Sequence, residues 1–203
     1  SNVIIHDLVV DGDNPALTSG YVRNGADLDA RNGIIKNTDA TYNNLEVYNV
    51  TMQNIYLRGI YSTGGSFDFH NNTVTNVMGD AYSIAMFAWG GPGIMSENVV
   101  SYANDAISAN HSKGIQFLNN TVTFSGSGVH TDNSNDGGGV ADLIQGNNVD
   151  CTGVANAYGV WTFVPYVAPL VDNNTVTNCA VGLSAWGQGA AVTTQFTDNT
   201  AIG

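Results

Sequence analysis

Tyr61, Ser108, His130, Trp161 and Ser184 recur at one offset in successive repeats of this chain, and two positions further on stand Asn110, Asp132, Phe163 and Trp186. Residues two apart on an extended strand share a face, so these side chains are expected to line one surface. Their types suit a sugar: aromatic rings stack on apolar sugar faces, and hydroxyls, amides and imidazoles bond sugar hydroxyls. The expected substrate-binding residues are Tyr61, Ser108, Asn110, Trp161 and Trp186, with the two tryptophans as stacking platforms. Met86, Phe87 and Trp89 are expected to add a wall from a longer bend. His130 is the expected catalytic base, because imidazole changes charge near neutral pH, and Asp132 stands beside it as the second catalytic residue. His111, one repeat earlier, and Tyr158 or Asp105 complete the set of acid and partner candidates. The plain alternative is that the aromatic residues pack beneath loops or against another subunit.

The run Asp132-Asn133-Ser134-Asn135-Asp136-Gly137 has oxygen donors at alternate positions and glycine at the turn, like the first half of a calcium loop. The twelfth residue would be Leu143 rather than glutamate, which excludes a complete helix–loop–helix site. A looser Ca2+ site is the expectation, with Asp132, Ser134 and Asp136 as ligands and Asp142 or a neighbouring repeat completing the set; a solvated polar turn is the alternative. Asp27 and Asp29 are a weaker calcium candidate. Cys151 and Cys179 are 28 residues apart, close to one repeat, so stacked repeats would bring them together as a disulfide. A disulfide favours an extracellular or cell-surface location.

The elements that must position these residues are legible as a repeat. Asn-Asn-Thr-Val-Thr occurs at Asn71–Thr75, Asn119–Thr123 and Asn173–Thr177, with variants around Val100, Val149 and Ala201 and degenerate copies around Val10 and Met52. From Met52 onward the central apolar residues, including Val74, Val122 and Val176, recur every 22 to 27 residues. The longer first interval places an inserted loop at Asp13 to Asn44. Apolar residues alternate on both sides of a polar corner, and a second apolar run follows each anchor with a small residue ahead of it, as in Gly59-Ile60, Ala106-Ile107 and Gly128-Val129. Each repeat is therefore a coil of short strands. Stacking at about 4.8 Å pairs every strand with its equivalents above and below, and about seven coils are expected. Asn72, Asn98, Asn120, Asn147, Asn174 and Asn199 then stack at one bend and hydrogen-bond along the ladder.

This repeat, "NNTVTN…GI", resembles the right-handed parallel β-helix repeat proteins, a group of carbohydrate-binding proteins and sugar hydrolases with pectate-lyase-like, alginate-epimerase-like and tailspike-like members. The resemblance covers nearly the whole chain outside the insertion. It implies an all-β, right-handed parallel β-helix acting on or binding a polysaccharide. It does not carry a catalytic motif. An epimerase-like Asp-Pro-His-Glu would fall on Ser108-Ala109-Asn110-His111, where there is no carboxylate. Pectate-lyase-like sites need several basic residues, whereas Arg58 and Lys113 are the cations expected on this face, and the clustered aspartates of polygalacturonase-like sites are reduced to Asn37-Thr38-Asp39, off the repeat.

Composition agrees with an all-β chain: 24 glycines, abundant asparagine, and Glu46 and Glu97 as the only glutamates. A length of 203 residues fits one domain, expected here to be a segment of a longer protein. Five Lys and Arg against 17 Asp and Glu give a net charge of −12, which excludes counterion-release binding to nucleic acid. That charge would also repel an acidic polysaccharide unless calcium bridged it. No apolar run is long enough to cross a membrane, and Ser1 to Val10 show no signal-peptide pattern. No amphipathic cap helix is visible, so association with further chain segments or subunits is expected at the ends. Two function classes follow: an extracellular carbohydrate-active module, or a non-catalytic structural or adhesive β-helix in a surface assembly or fibre.

Overall fold

The computed structural model describes residues 2–38, 42–132, 140–163, 167–187 and 193–203. Among these residues every regular element is a strand, and the strands stack into a parallel β-solenoid. Each coil runs through a first strand, a tight corner, a second strand, a bend and a third strand; Phe67–His70, Thr73–Val77 and Ile84–Trp89 form one such coil. The first strands make an 8-stranded sheet from Val3–His6 to Gln195–Thr197. The second and third strands join in a 14-stranded sheet, because the strand Thr51–Thr63 runs through the bend unbroken. Its first half pairs with Val9–Asp11 and Thr73–Val77, and its second half with Ala30–Lys36 and Ile84–Trp89.

There are about six regular turns rather than seven. The first coil is interrupted by the insertion, and the last repeat contributes only Gln195–Thr197 and Thr200–Ile202.

Three inward ladders make the core. Val47, Phe69, Met95, Phe117, Ile144 and Val171 stack from the first strands. Met52, Val74, Val100, Val122, Val149 and Val176 stack from the second, and Ile60, Met86, Ile107, Val129 and Val160 from the third. Met86, expected in an outer wall, therefore belongs to the core, because it falls on the inward phase of a regular strand and not in a bend. A small residue precedes each third-strand anchor for a steric reason. A Cβ on Gly128 would lie 2.4 Å from the Gly159 carbonyl oxygen of the next coil.

The corner between first and second strands explains the asparagines. Asn71, Asn119 and Asn173 sit there with positive φ, a conformation Asn tolerates better than most residues, and Gly146 takes the same place in its coil. The next residue turns its amide inward. Asn98 Nδ2 donates back to the Phe69 carbonyl and forward to Asn120 Oδ1, each at 2.9 Å, while Asn98 Oδ1 accepts from the Asn72 amide N–H. The pattern repeats through Asn120, Asn147, Asn174 and Asn199. Buried amides are tolerable only when bonded in this way.

The insertion holds a short antiparallel pair, Val22–Arg23 with Ala26–Asp27. Asp27 and Asp29 accept backbone N–H groups of the same loop, from Gly20, Tyr21, Asn14 and Ser19, so their oxygens tie the loop together. Ala30–Lys36 then rejoins the stack beside Thr51–Thr63 and brings Arg31 and Asn32 to the third-strand face. Cys151 and Cys179 follow the second strands of adjacent coils and are joined by a disulfide.

Candidate functional site

The outward side of the third strands carries two register lines. Tyr61, Phe87, Ser108, His130, Trp161 and Ser184 are mutual neighbours, as are Thr63, Trp89, Asn110, Asp132, Phe163 and Trp186. The expected stripe is thus a continuous ladder. Its members are nevertheless divided between separate cavities.

A cavity of about 600 Å³ lies over the early coils and is bordered by Arg31, Arg58, Tyr61, Tyr82, Phe87, Trp89, Asp105, Asn110 and His130. A second cavity of about 560 Å³ shares Asn37, Tyr61 and Trp89 with it and adds His111 and Lys113, so the two form one trough.

His130 is 8% exposed and stacked on Trp161, with ring centroids 4.0 Å apart. Its Nδ1 lies 3.4 Å from Asp105 Oδ1, and among the described residues neither atom has a hydrogen-bond partner of normal geometry. The two atoms face each other at a separation longer than an ordinary hydrogen bond. Trp161 is itself fixed, its Nε1 donating to Ser127 Oγ at 2.9 Å. The imidazole is therefore packed against a fixed indole, with the Asp105 carboxylate near its Nδ1.

Arg58 lies on the same wall. Its guanidinium sits 5.1 Å from the centre of the Phe87 ring and donates to the Leu57 and Tyr82 carbonyls. Burial lowers its pKa, opposed by Tyr61 and the carboxylates of Asp105 and Asp80, but a guanidinium remains charged throughout the working pH range. Burial also raises the Tyr61 hydroxyl above its usual range, with Arg58 opposing. Arg31, Arg58 and Lys113 are three of the five cationic side chains of a chain with net charge −12, and all three border this trough. Asp105 is the one carboxylate among the described residues bordering the first cavity.

The expected residues divide as follows. Tyr61, Asn110 and His130 border the trough, and Trp89 joins the two cavities. Ser108 lies between Phe87 and His130 in the ladder, but it is fully buried and its hydroxyl has no partner among the described residues. Asp132 faces Asn110 and Phe163 across the ladder; the contact found at His130 Nδ1 is with Asp105. Trp161 and Trp186 border a different, smaller cavity. Of the calcium loop, Ser134 and Asp136 lie outside the described residues. Asp142 is buried and accepts from Ser112 Oγ, Thr131 Oγ1 and the Ile115 N–H, which gives it a structural role. Among the described residues no group of three or more His, Cys, Asp or Glu side chains is placed to hold a metal ion.

Sequence reasoning under-weighted Arg58 and did not reach Arg31 or Tyr82. Asp105 and Arg58 stand three positions ahead of Ser108 and Tyr61, not two, so simple alternation misses their face; a small residue between two such positions was the available signal.

Compared with known proteins, the chain matches no family model, and no curated protein is similar to it in sequence.

Proposed function

We propose that the chain is a carbohydrate-active β-helix module that binds an acidic polysaccharide in the trough and cleaves it by proton abstraction and elimination. The observation that carries the reading is the trough's composition: an imidazole–carboxylate pair beside a half-buried guanidinium, flanked by aromatic rings. The concentration of Arg31, Arg58 and Lys113 there offers an acidic sugar a local field opposite to the net charge of the molecule. In this reading Arg58 neutralises the sugar carboxylate, which acidifies the proton on the adjacent carbon. His130 takes that proton, and Asp105 holds the imidazolium. The electron pair forms the ring double bond, and the bond to the glycosidic oxygen breaks. The departing oxygen leaves with a proton from Tyr61 or water. A hydrolase mechanism is less well supported because it uses two carboxyl groups, and among the described residues Asp105 is the one carboxylate of the first cavity.

The same reading places the chain in an extracellular or cell-surface setting. The Cys151–Cys179 disulfide supports this, and no described helix is long and apolar enough to cross a membrane.

The test is ultraviolet absorbance of unsaturated product from a panel of uronate and neutral polysaccharides. Uronates should yield product, and His130→Ala should lower turnover by about 10²-fold or more with an unchanged circular dichroism spectrum. Full turnover in His130→Ala would remove the catalytic assignment. Binding without turnover would leave a non-catalytic module, and neither binding nor turnover would put the structural or adhesive reading ahead.

A further inference from the structure

At the other end of the same face, Tyr158, Trp161, Phe163 and Trp186 line a separate, open-mouthed cavity of about 190 Å³. Their rings form a closed circuit. Centroid distances are 6.1 Å from Tyr158 to Trp161, 6.2 Å from Trp161 to Phe163, 6.4 Å from Phe163 to Trp186 and 6.4 Å from Trp186 back to Tyr158. The planes are inclined to one another by 50° to 78°, so the rings wall a box and do not lie flat as a platform.

We propose that this box binds a quaternary ammonium group, independently of whether the trough acts on a polysaccharide. Two observations carry it beyond aromatic packing. Both indole N–H groups are already committed, Trp161 to Ser127 Oγ and Trp186 to Ser184 Oγ. The tryptophans therefore offer π faces and no donors. A sugar ring placed inside would have its hydroxyls stripped of water opposite those faces, which is costly. A trimethylammonium head has no hydroxyl to satisfy and is attracted to ring faces from several sides at once.

The charge distribution points the same way. All five Lys and Arg residues lie at or before Lys113, while the chain after it carries six aspartates and no Lys or Arg. Asp132 pairs in register with Phe163, next to the box wall, and His130 stacks on the outer side of Trp161. One face thus has a cationic trough over its early coils and an aromatic pocket, with Asp132 beside its wall and no described cation, over its late ones. The cavity is small for a whole sugar chain, which matches a head group.

The experiment is a titration of the whole chain with choline chloride, following the indole N–H resonances of Trp161 and Trp186. Controls are sodium chloride, the uncharged isostere 3,3-dimethylbutan-1-ol, and cellobiose. Saturable shifts at both tryptophans are expected with choline, with the uncharged alcohol at least about tenfold weaker because it lacks the cation–π attraction. Trp186 is 48% exposed, so Trp186→Ala should fold and weaken choline about tenfold or more, while Trp186→Phe retains part of the affinity. No saturable shift, equal binding of the alcohol, saturable occupation by cellobiose, or unchanged choline affinity in Trp186→Ala would each overturn the proposal. None of these readouts involves polysaccharide turnover, so the two proposals fail separately.

Discussion

The asparagine corner and the outward third-strand ladder are built on the same coil-to-coil spacing, yet they treat it in opposite ways. At the corner one residue type fills the position from Asn72 to Asn199, and each amide is bonded to the coil before and the coil after. On the third strands the residue changes with every coil, from tyrosine through phenylalanine, serine and histidine to tryptophan. Identity is needed where each side chain is its neighbour's hydrogen-bond partner. Where side chains face outward, the stack requires only that they fit, and that freedom is where a ligand site can be placed. The contrast extends to unsatisfied groups. The buried asparagines are bonded, whereas Ser108, Asp105 and His130 on the third-strand face retain buried polar atoms without a normal hydrogen bond.

This contrast can be broken most directly at Asn120. Its replacement by alanine removes the side-chain partner of the Asn98 N–H and of the Met95 carbonyl, and takes one of their bonds from Asn98 Nδ2 and Asn147 Oδ1, which keep the Phe69 carbonyl and the residue-120 N–H. At about 1–3 kcal/mol for each buried group left unpaired, with partial relaxation, the expected loss is about 3–5 kcal/mol by urea unfolding. A loss below about 1 kcal/mol would mean that water replaces the amide and that the corner does not depend on its ladder.

A smaller effect is expected at Asp142, a bonded polar group outside the corner. Burial raises its carboxyl pKa, opposed by the bonds from Ser112, Thr131 and the Ile115 N–H. A carboxyl whose pKa is higher in the folded state binds protons better there. Its contribution is fully present below the unfolded value of 3.8 and is lost as pH rises through the raised one. Asp142→Asn keeps both an acceptor and a donor at the site, so it should remove part of this slope and change stability at neutral pH by less than about 1 kcal/mol. Asp142→Ala should cost about 2–3 kcal/mol. A steeper pH slope in Asp142→Asn than in the parent would contradict the sign.

The smallest effect sharpens the comparison from the other side. Ser108→Ala removes a buried hydroxyl that has no described partner and should be neutral or stabilising by up to about 1 kcal/mol in thermal unfolding. A loss as large as that of Asn120→Ala would show that the third-strand face is as tightly bonded as the corner.

The sequence by itself determined the coil. Repeated Asn-Asn-Thr-Val-Thr strings carry the left-handed corner, the amide ladder and the inward valine together, and all of these are local or one repeat apart. The spacing of Cys151 and Cys179 belongs to the same class, since one repeat in sequence is one step in the stack. The ladder of Tyr61, Ser108, His130 and Trp161 was also legible, because register follows from period. Only the tertiary structure decided which members share a cavity. The insertion returns Arg31 to the stack beside Arg58, and Asp105 reaches His130 from the neighbouring coil at an offset that alternation does not predict. Ser108 is covered by its larger neighbours, while Trp161 and Trp186 turn with Tyr158 and Phe163 into a box of their own. The physical reason is that a repeat specifies the backbone path and the direction of each side chain. Burial and proximity on the outer face depend on the sizes of residues in adjacent coils and on a loop that does not repeat.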